Sequence, residues 1–464
     1  FGDLRLIGPA MTALDDTYAE IGDFVARNVL PLYGRAILPE LLAKFDPKGR
    51  SGHVRRLLLI HKLDPDGARE IVKRALDDGS KEVRIAAIEC LGDSPEDLPL
   101  LLEQVRAKAK DVRSAALRAL GSSNADDAVK VFCHAIDSAD FALAVEPIRT
   151  SRNPALTDFL LETADKQFQA LFISKEKDAK KLGKLNERMA MILECLRGRD
   201  DRKTEKLLLN LFAQVEGLAA VKGEPSGKDV VERLVSVMAT ASPKAQSVLV
   251  DAHETLPAES LVVAFVAACR CRNPAEVFER FSPYLTAKVD EKKKHRDTAY
   301  AKREAIVGLV VQGRNRCYGD PYDGDAEKFD LVAKLDPRWL DLGVKLERID
   351  LVQTLVVPGH AKANGMLLKV FRQRLAKSAD DYELLGILGT LIRMRHPKAT
   401  DATIDLLKRQ AKARRSYGRY WLGHLIAGLP KEEAVPKLEA LITTLPEKMV
   451  DELLDYVTEL KNSP

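Results

Sequence analysis

Asp323, Asp325 and Glu327 stand at alternate positions, the spacing with which a calcium loop sets its first oxygen ligands. Such a loop then needs Gly at its sixth position, where this chain has Lys328, so the run reads as a solvated loop. The stretch leading into it, residues 313–325 (GRNRCYGDPYDGD), is dense in Gly and Asp and is expected to break any helix. It also offers Arg314, Arg316, Tyr318 and Tyr322, residue types enriched at binding hot spots, and is expected to meet a partner. None of the eight His lies at HExxH or HxxxH spacing, or near a Cys at zinc spacing. Cys269 and Cys271 form the one close cysteine pair, but positions two apart on a helix point roughly 200° away from each other. The sequence has no GxxxxGK[ST] phosphate loop, no GxGxxG after a strand and no GxSxG elbow. No catalytic residue, metal or cofactor is therefore expected.

Charge is the other chemical feature. Residues 362–419 hold 14 Lys+Arg against 5 Asp+Glu, although the whole chain has a net charge of only +4. Read as one helix, Lys408, Lys412, Arg415 and Arg419 fall at i, i+4, i+7 and i+11, on a single face. Ile404, Leu407, Ala411, Trp421 and Leu425 fall toward the other side and should bury. A basic stripe opposite an apolar one is the ordinary dress of a solvated helix. As a docking face it would take an anionic partner: an acidic protein surface, nucleic acid or anionic lipid. The modest net charge argues against a dedicated nucleic-acid domain. Trp339 and Trp421 are expected to anchor cores, not to stack bases.

The elements that must position these residues are helices. Over 464 residues, 46% hydrophobic and 31% charged, there is ample material for a core and too much for disorder. The longest uncharged apolar run, residues 261–269, is well short of the roughly 18 residues a spanning helix needs. Val54, Val83 and Val112 recur every 29 residues, each followed by Arg, and the next step lands on Phe141 behind Asp140. Val83, Ala86, Ala87, Cys90 and Leu91 make one helical stripe. Val112, Ala115, Ala116, Ala119 and Leu120 repeat it, and Phe141, Ala144, Val145 and Ile148 follow less fully. A stripe so rich in Ala lets a neighbouring helix come close. A second set, Ala68 to Leu76 and Leu98 to Val105, alternates with the first. Its helices start at Asp64-Pro65 and Ser94-Pro95, where the polar side chain is expected to cap and Pro takes a position needing no N–H. Asn153-Pro154, Asn273-Pro274 and Ser242-Pro243 punctuate in the same way.

Two short helices per unit, with Leu-Pro-x-Leu-Leu in the first (residues 38–42 and 98–102) and acid-Val-Arg opening the second (residues 82–84 and 111–113), resemble short bacterial HEAT-like repeats. The resemblance covers residues 36 to about 150. It implies that second helices line a concave surface, and that Glu82, Arg84, Asp111 and Arg113 link neighbouring repeats, with His53 departing from the acidic pattern.

The expected fold is all-α: an elongated, curved α-α superhelix, or HEAT-like solenoid. A helical cap covers residues 1–35, regular repeats 36–150, and an irregular helical continuation 151–464 with a loop at 313–325. The expected role is a non-enzymatic scaffold for a protein partner, as a segment of a larger protein or a whole one. HEAT-like architecture also serves DNA glycosylases, membrane coats and chromophore lyases, the first favoured only by the basic bias near the C-terminus. Six cysteines scattered among Leu, Ala and Val suit a reducing, cytoplasmic setting, which a targeting segment ahead of Phe1 would change.

Overall fold

The computed structural model describes residues 3–173, 178–290, 292, 296–315, 331–377, 381–412 and 419–462. Among these residues every regular element is a helix. The described residues divide into two compact units, the first ending at Leu256 and the second starting at Pro257.

In the first unit, α1 (Ile7–Ala13) and α2 (Ala19–Phe24) lead through π and 3-10 turns at Val25–Val29 and Leu30–Ile37. Gly34 adopts φ +59° there, a left-handed conformation that Gly takes without steric cost. Helix pairs follow: α3 (Leu38–Ala43) with α4 (Ser51–Leu63), α5 (Pro65–Asp78) with α6 (Lys81–Cys90), and α7 (Leu98–Gln104) with α8 (Lys110–Leu120). Next come α9 (Asp126–Ile136) with α10 (Phe141–Thr150), and α11 (Pro154–Ile173) with α12 (Ala179–Cys195). The unit ends with α13 (Arg202–Phe212), α14 (Val215–Ala219), α15 (Gly227–Met238) and α16 (Pro243–Asp251).

Periodicity explains the stacking. Val83, Ala86, Ala87, Cys90 and Leu91 are buried, as are Ala115, Ala116, Ala119 and Leu120, so each second helix presents its small-residue stripe to its neighbours. The approach is close: a Cβ added at Gly92 would lie 2.4 Å from the Ala119 carbonyl oxygen. The second helices α4, α6, α8, α10, α12 and α15 pack in series as one layer, and the first helices α7, α9, α11, α13 and α16 form the other.

Helix starts follow Pro. Asn153, Asn273 and Ser242 cap helices beginning at Pro154, Pro274 and Pro243, each side-chain oxygen accepting from a first-turn N–H at 2.9–3.2 Å. Asp64 and Ser94 depart from expectation. Both precede Pro at a helix start, yet neither side chain caps, and the Asp64 carboxylate instead accepts from Arg35 at 3.2 Å.

The second unit keeps the two-layer alternation without a fixed period. In one layer α17 (Ala258–Cys271), α19 (Thr298–Asn315), α21 (Ile349–Leu355), α23 (Asp381–Arg393), α25 (Arg419–Ile426) and α27 (Glu447–Asn462) pack in turn. The other holds α18 (Pro274–Thr286), α20 (Arg338–Lys345), α22 (Ala361–Ala376), α24 (Ala399–Lys412) and α26 (Lys431–Ile442). Trp339 is fully buried, with Phe265 and Phe278 edge-on to it at 5.7 and 5.5 Å, and it anchors this core as expected. No helix among the described residues is long and apolar enough to cross a membrane.

Candidate interaction face

Polar stitches join successive repeats of the first unit. At the turns, Ser80 Oγ donates to the Gly49 carbonyl at 2.8 Å, Ser122 Oγ to the Gly92 carbonyl at 3.0 Å, and Asn153 Nδ2 to the Asn124 carbonyl at 3.3 Å. Each bond spans 29–31 residues, one repeat. At the openings of the second helices, Lys81 pairs with Asp111 at 2.6 Å. Arg113 grips Asp140 with two bonds of 2.8 Å and donates to the carbonyls of Ala107 and Lys108. Arg113 is thereby half-buried and holds the Asp140 carboxyl below its ordinary pKa; Lys81 does the same to Asp111.

The acid-Val-Arg pattern does not close uniformly. Arg55, Arg84 and Arg113 are equivalent by the 29-residue step, but only Arg113 reaches the acid of the next repeat. Arg55 turns back instead, to Asp23 at 2.7 Å and the carbonyls of Leu14 and Ala19. Glu82 and Arg84 are exposed, and neither makes an ion pair among the described residues. Lys81, which sequence reasoning passed over, takes Asp111 in place of Arg84.

A further ladder runs across the second-helix layer, nearer the helix ends. Glu89 of α6 pairs with Arg118 of α8, which also donates to Ser114 at 2.8 Å. Arg149 of α10 pairs with Glu146 at 2.6 Å and lies 3.8 Å from Glu194 of α12. Glu194 is the hub: Arg197 binds both its oxygens at 2.7 and 2.9 Å, and Arg233 of α15 reaches it at 2.8 Å. Burial raises the Glu194 pKa, but Arg197 and then Arg233 outweigh it and hold the carboxyl below its ordinary value. Glu89 and Arg118 stand one 29-residue step apart, a signal present in the sequence. The ladder lines this layer with charge, joining α6 to α8 and α10 through α12 to α15, and among its described residues no nucleophile is paired with a base.

The other expected sites fall elsewhere. Lys408 is exposed on α24. Lys412 ends α24, Arg419 opens α25, and Arg415 lies outside the described residues, so the basic stripe is not one helix face: α24 and α25 belong to opposite layers. Arg314 lies within α19, which extends through Gly313 to Asn315; Arg316, Tyr318 and Tyr322 lie outside the described residues. Burial pushes the Cys195 and Cys269 thiols up to about 12, far from a reactive thiolate. No cluster of three His, Cys, Asp or Glu placed to hold a metal occurs among the described residues.

Residues 68–150 match the family model of HEAT repeats. No curated protein matches the chain. Among solved structures, Kap121p aligns at 12% identity and a TM-score of 0.41, over 98% of this chain and 52% of its own. Importin beta aligns at 14% identity and 0.36, over 96% and 66%, and Uso1-2 at 11% identity and 0.30, over 98% of each. The chain thus spans about half the length of the Kap121p chain. Through its 29-residue period, its paired helices and the match over residues 68–150, the chain carries HEAT-like repeats.

Proposed function

We propose that the chain is a scaffold that binds a protein partner on the second-helix layer of its first unit. The observation that supports this is the unbroken side-by-side series α4, α6, α8, α10, α12 and α15. Repeats contacting only their neighbours build a long surface in place of a deep pocket, which suits an extended partner. The acid–Arg ladder ties α6 to α8 and α10 through α12 to α15, and a preorganised face loses less freedom on binding. Arg118 and Arg233, each close to half exposed, are the ladder cations best placed to meet an acidic partner.

Tagged protein should co-purify with a partner in fixed stoichiometry from native cells, and the Arg118→Glu/Arg233→Glu variant should lose it while keeping its helical circular dichroism. A partner retained by the reversed variant would move binding off this layer. Wild-type protein that takes up no protein, yet binds duplex DNA with an affinity falling steeply as salt rises, would replace the proposal with a nucleic-acid role.

A further inference from the structure

Three arginines are buried among the described residues. Two have carboxylate partners: Arg55 pairs with Asp23 at 2.7 Å and Arg56 with Asp15 at 2.6 Å. Arg199 has none. The residue is 5% exposed, and its guanidinium donates to the carbonyls of Cys195, Ile148 and Ser151 and to Thr157 Oγ1, all neutral oxygens, at 2.7–3.1 Å. A buried charge held only by neutral acceptors is unusual, since buried charges are as a rule paired. Burial first, and then the like charge of Arg152, lower the pKa of this guanidinium against a weaker opposing pull from Asp201.

Arg199 lies on the wall of an open cleft of about 620 Å³ between the starts of α11 and α13. Arg152, Arg202 and Lys203 share the wall with Asp158, Asp200 and Asp201. Two of those carboxylates are committed. Asp158 pairs with Lys203 at 2.7 Å. Asp201 caps α13, accepting from the N–H groups of Lys203 and Thr204 at 3.0 Å and from the Thr204 hydroxyl at 2.6 Å. The helix end is therefore already satisfied, and what remains is side-chain charge. Arg152 and Arg202 are exposed and make no ion pair among the described residues, and Asp200 is likewise alone. With Lys203 paired to Asp158, three guanidiniums face the carboxylates of Asp200 and Asp201, an excess of one positive charge, because capping leaves the charge of Asp201 in place. Arg152 Nη2 lies 3.9 Å from where a Cβ on Gly198, the residue before Arg199, would sit. Gly198 has φ +73°, a turn that brings Arg199 back under α11. Like charges gathered at a cleft call for a counter-charge, and planar guanidiniums match the several acceptor oxygens of a phosphate.

We propose that this cleft binds a phosphate monoester dianion through Arg152, Arg199 and Arg202. Arg199 supplies fixed buried charge, and the two exposed arginines close on the phosphoryl oxygens. The site stands on the turns that precede α11 and α13, with Arg199 anchored on carbonyls of α10 and α12, and its exposed arginines are not members of the second-helix ladder.

Titration calorimetry with O-phospho-L-serine, L-serine and a phosphoserine heptapeptide tests it. The expected result is binding of both phosphate probes and none of serine, weakening about tenfold or more in Arg152→Gln/Arg202→Gln. Both substituted side chains are exposed, and unchanged circular dichroism verifies the variant's fold. Affinity should also fall as pH drops through about 6, where the ester loses its second charge. A peptide that binds more tightly than phosphoserine identifies a protein-borne ester, equal affinity a small-molecule one, and either upholds the site. Wild-type protein that binds neither phosphate probe at millimolar concentration, or a variant that binds as tightly as wild type, overturns it.

Discussion

The repeats over residues 51–150 and the core around Trp339 solve one packing problem by opposite means. In the repeats, the second helices meet along Ala-rich stripes, with Ala86, Ala87, Ala115, Ala116 and Ala144 all buried. Such stripes bury little area per residue, and the polar stitches set register where side-chain shape cannot. Around Trp339, Phe265, Phe278 and Phe281 fill the space with rings, and Arg338 lies 4.3 Å over the Phe278 ring. Large rings interlock by shape and need no period. A regular stack therefore depends on many small, equivalent contacts, an irregular one on a few large contacts.

That contrast can be broken most forcefully at Trp339. Trp339→Ala should cost about 3–5 kcal/mol through lost burial and the cavity left behind. Denaturant unfolding read by intrinsic fluorescence and circular dichroism would show it; a loss below about 1 kcal/mol would mean that the aromatic cluster is not the anchor of its unit. Ala116→Phe is the matching test in the repeats, where overpacking should cost about 1–3 kcal/mol. An unchanged melting temperature would show that the close helix approach tolerates bulk and that the small-residue stripe does not set the spacing.

The smallest effect concerns the stitches. Because Arg113 depresses the Asp140 pKa, the pair's contribution is fully present above the unfolded carboxylate value of about 3.9 and is lost as pH falls through the lower folded value. Asp140→Asn should therefore lower the melting temperature more at pH 6 than at pH 2. A penalty equal at both values would assign the role of Asp140 to its backbone position and not to its charge.

The apolar half of the repeats was legible in the sequence because a helix repeats every 3.6 residues and the unit every 29. The stripe positions Val83, Ala86, Ala87, Cys90 and Leu91, and Ala115, Ala116, Ala119 and Leu120, bury as their spacing requires. The polar half was only partly so. Residue type does not decide whether Asp111 takes Arg84 or Lys81, since that depends on which cation lies nearest once the turns are built. Extrapolating one helical period through residues 404–425 joined side chains that belong to two layers. The Arg199 cleft was hidden for another reason. Its run, Arg197 to Lys203, reads as a hydrated turn, and three of the four oxygens that hold the guanidinium lie 42–51 residues earlier.

The turn bonds of Ser80, Ser122 and Asn153 each reach back to the unit immediately before and to no other. The segment between α8 and α9 thus brings a donor, Ser122, for the turn before it and an acceptor, Asn124, for the turn after it. A tandem duplication of such a segment would arrive with both ends of the bond already encoded. Gene-level copying can then lengthen or shorten the array in whole units without inventing a new junction, and the span of the molecule becomes a quantity that heredity can count.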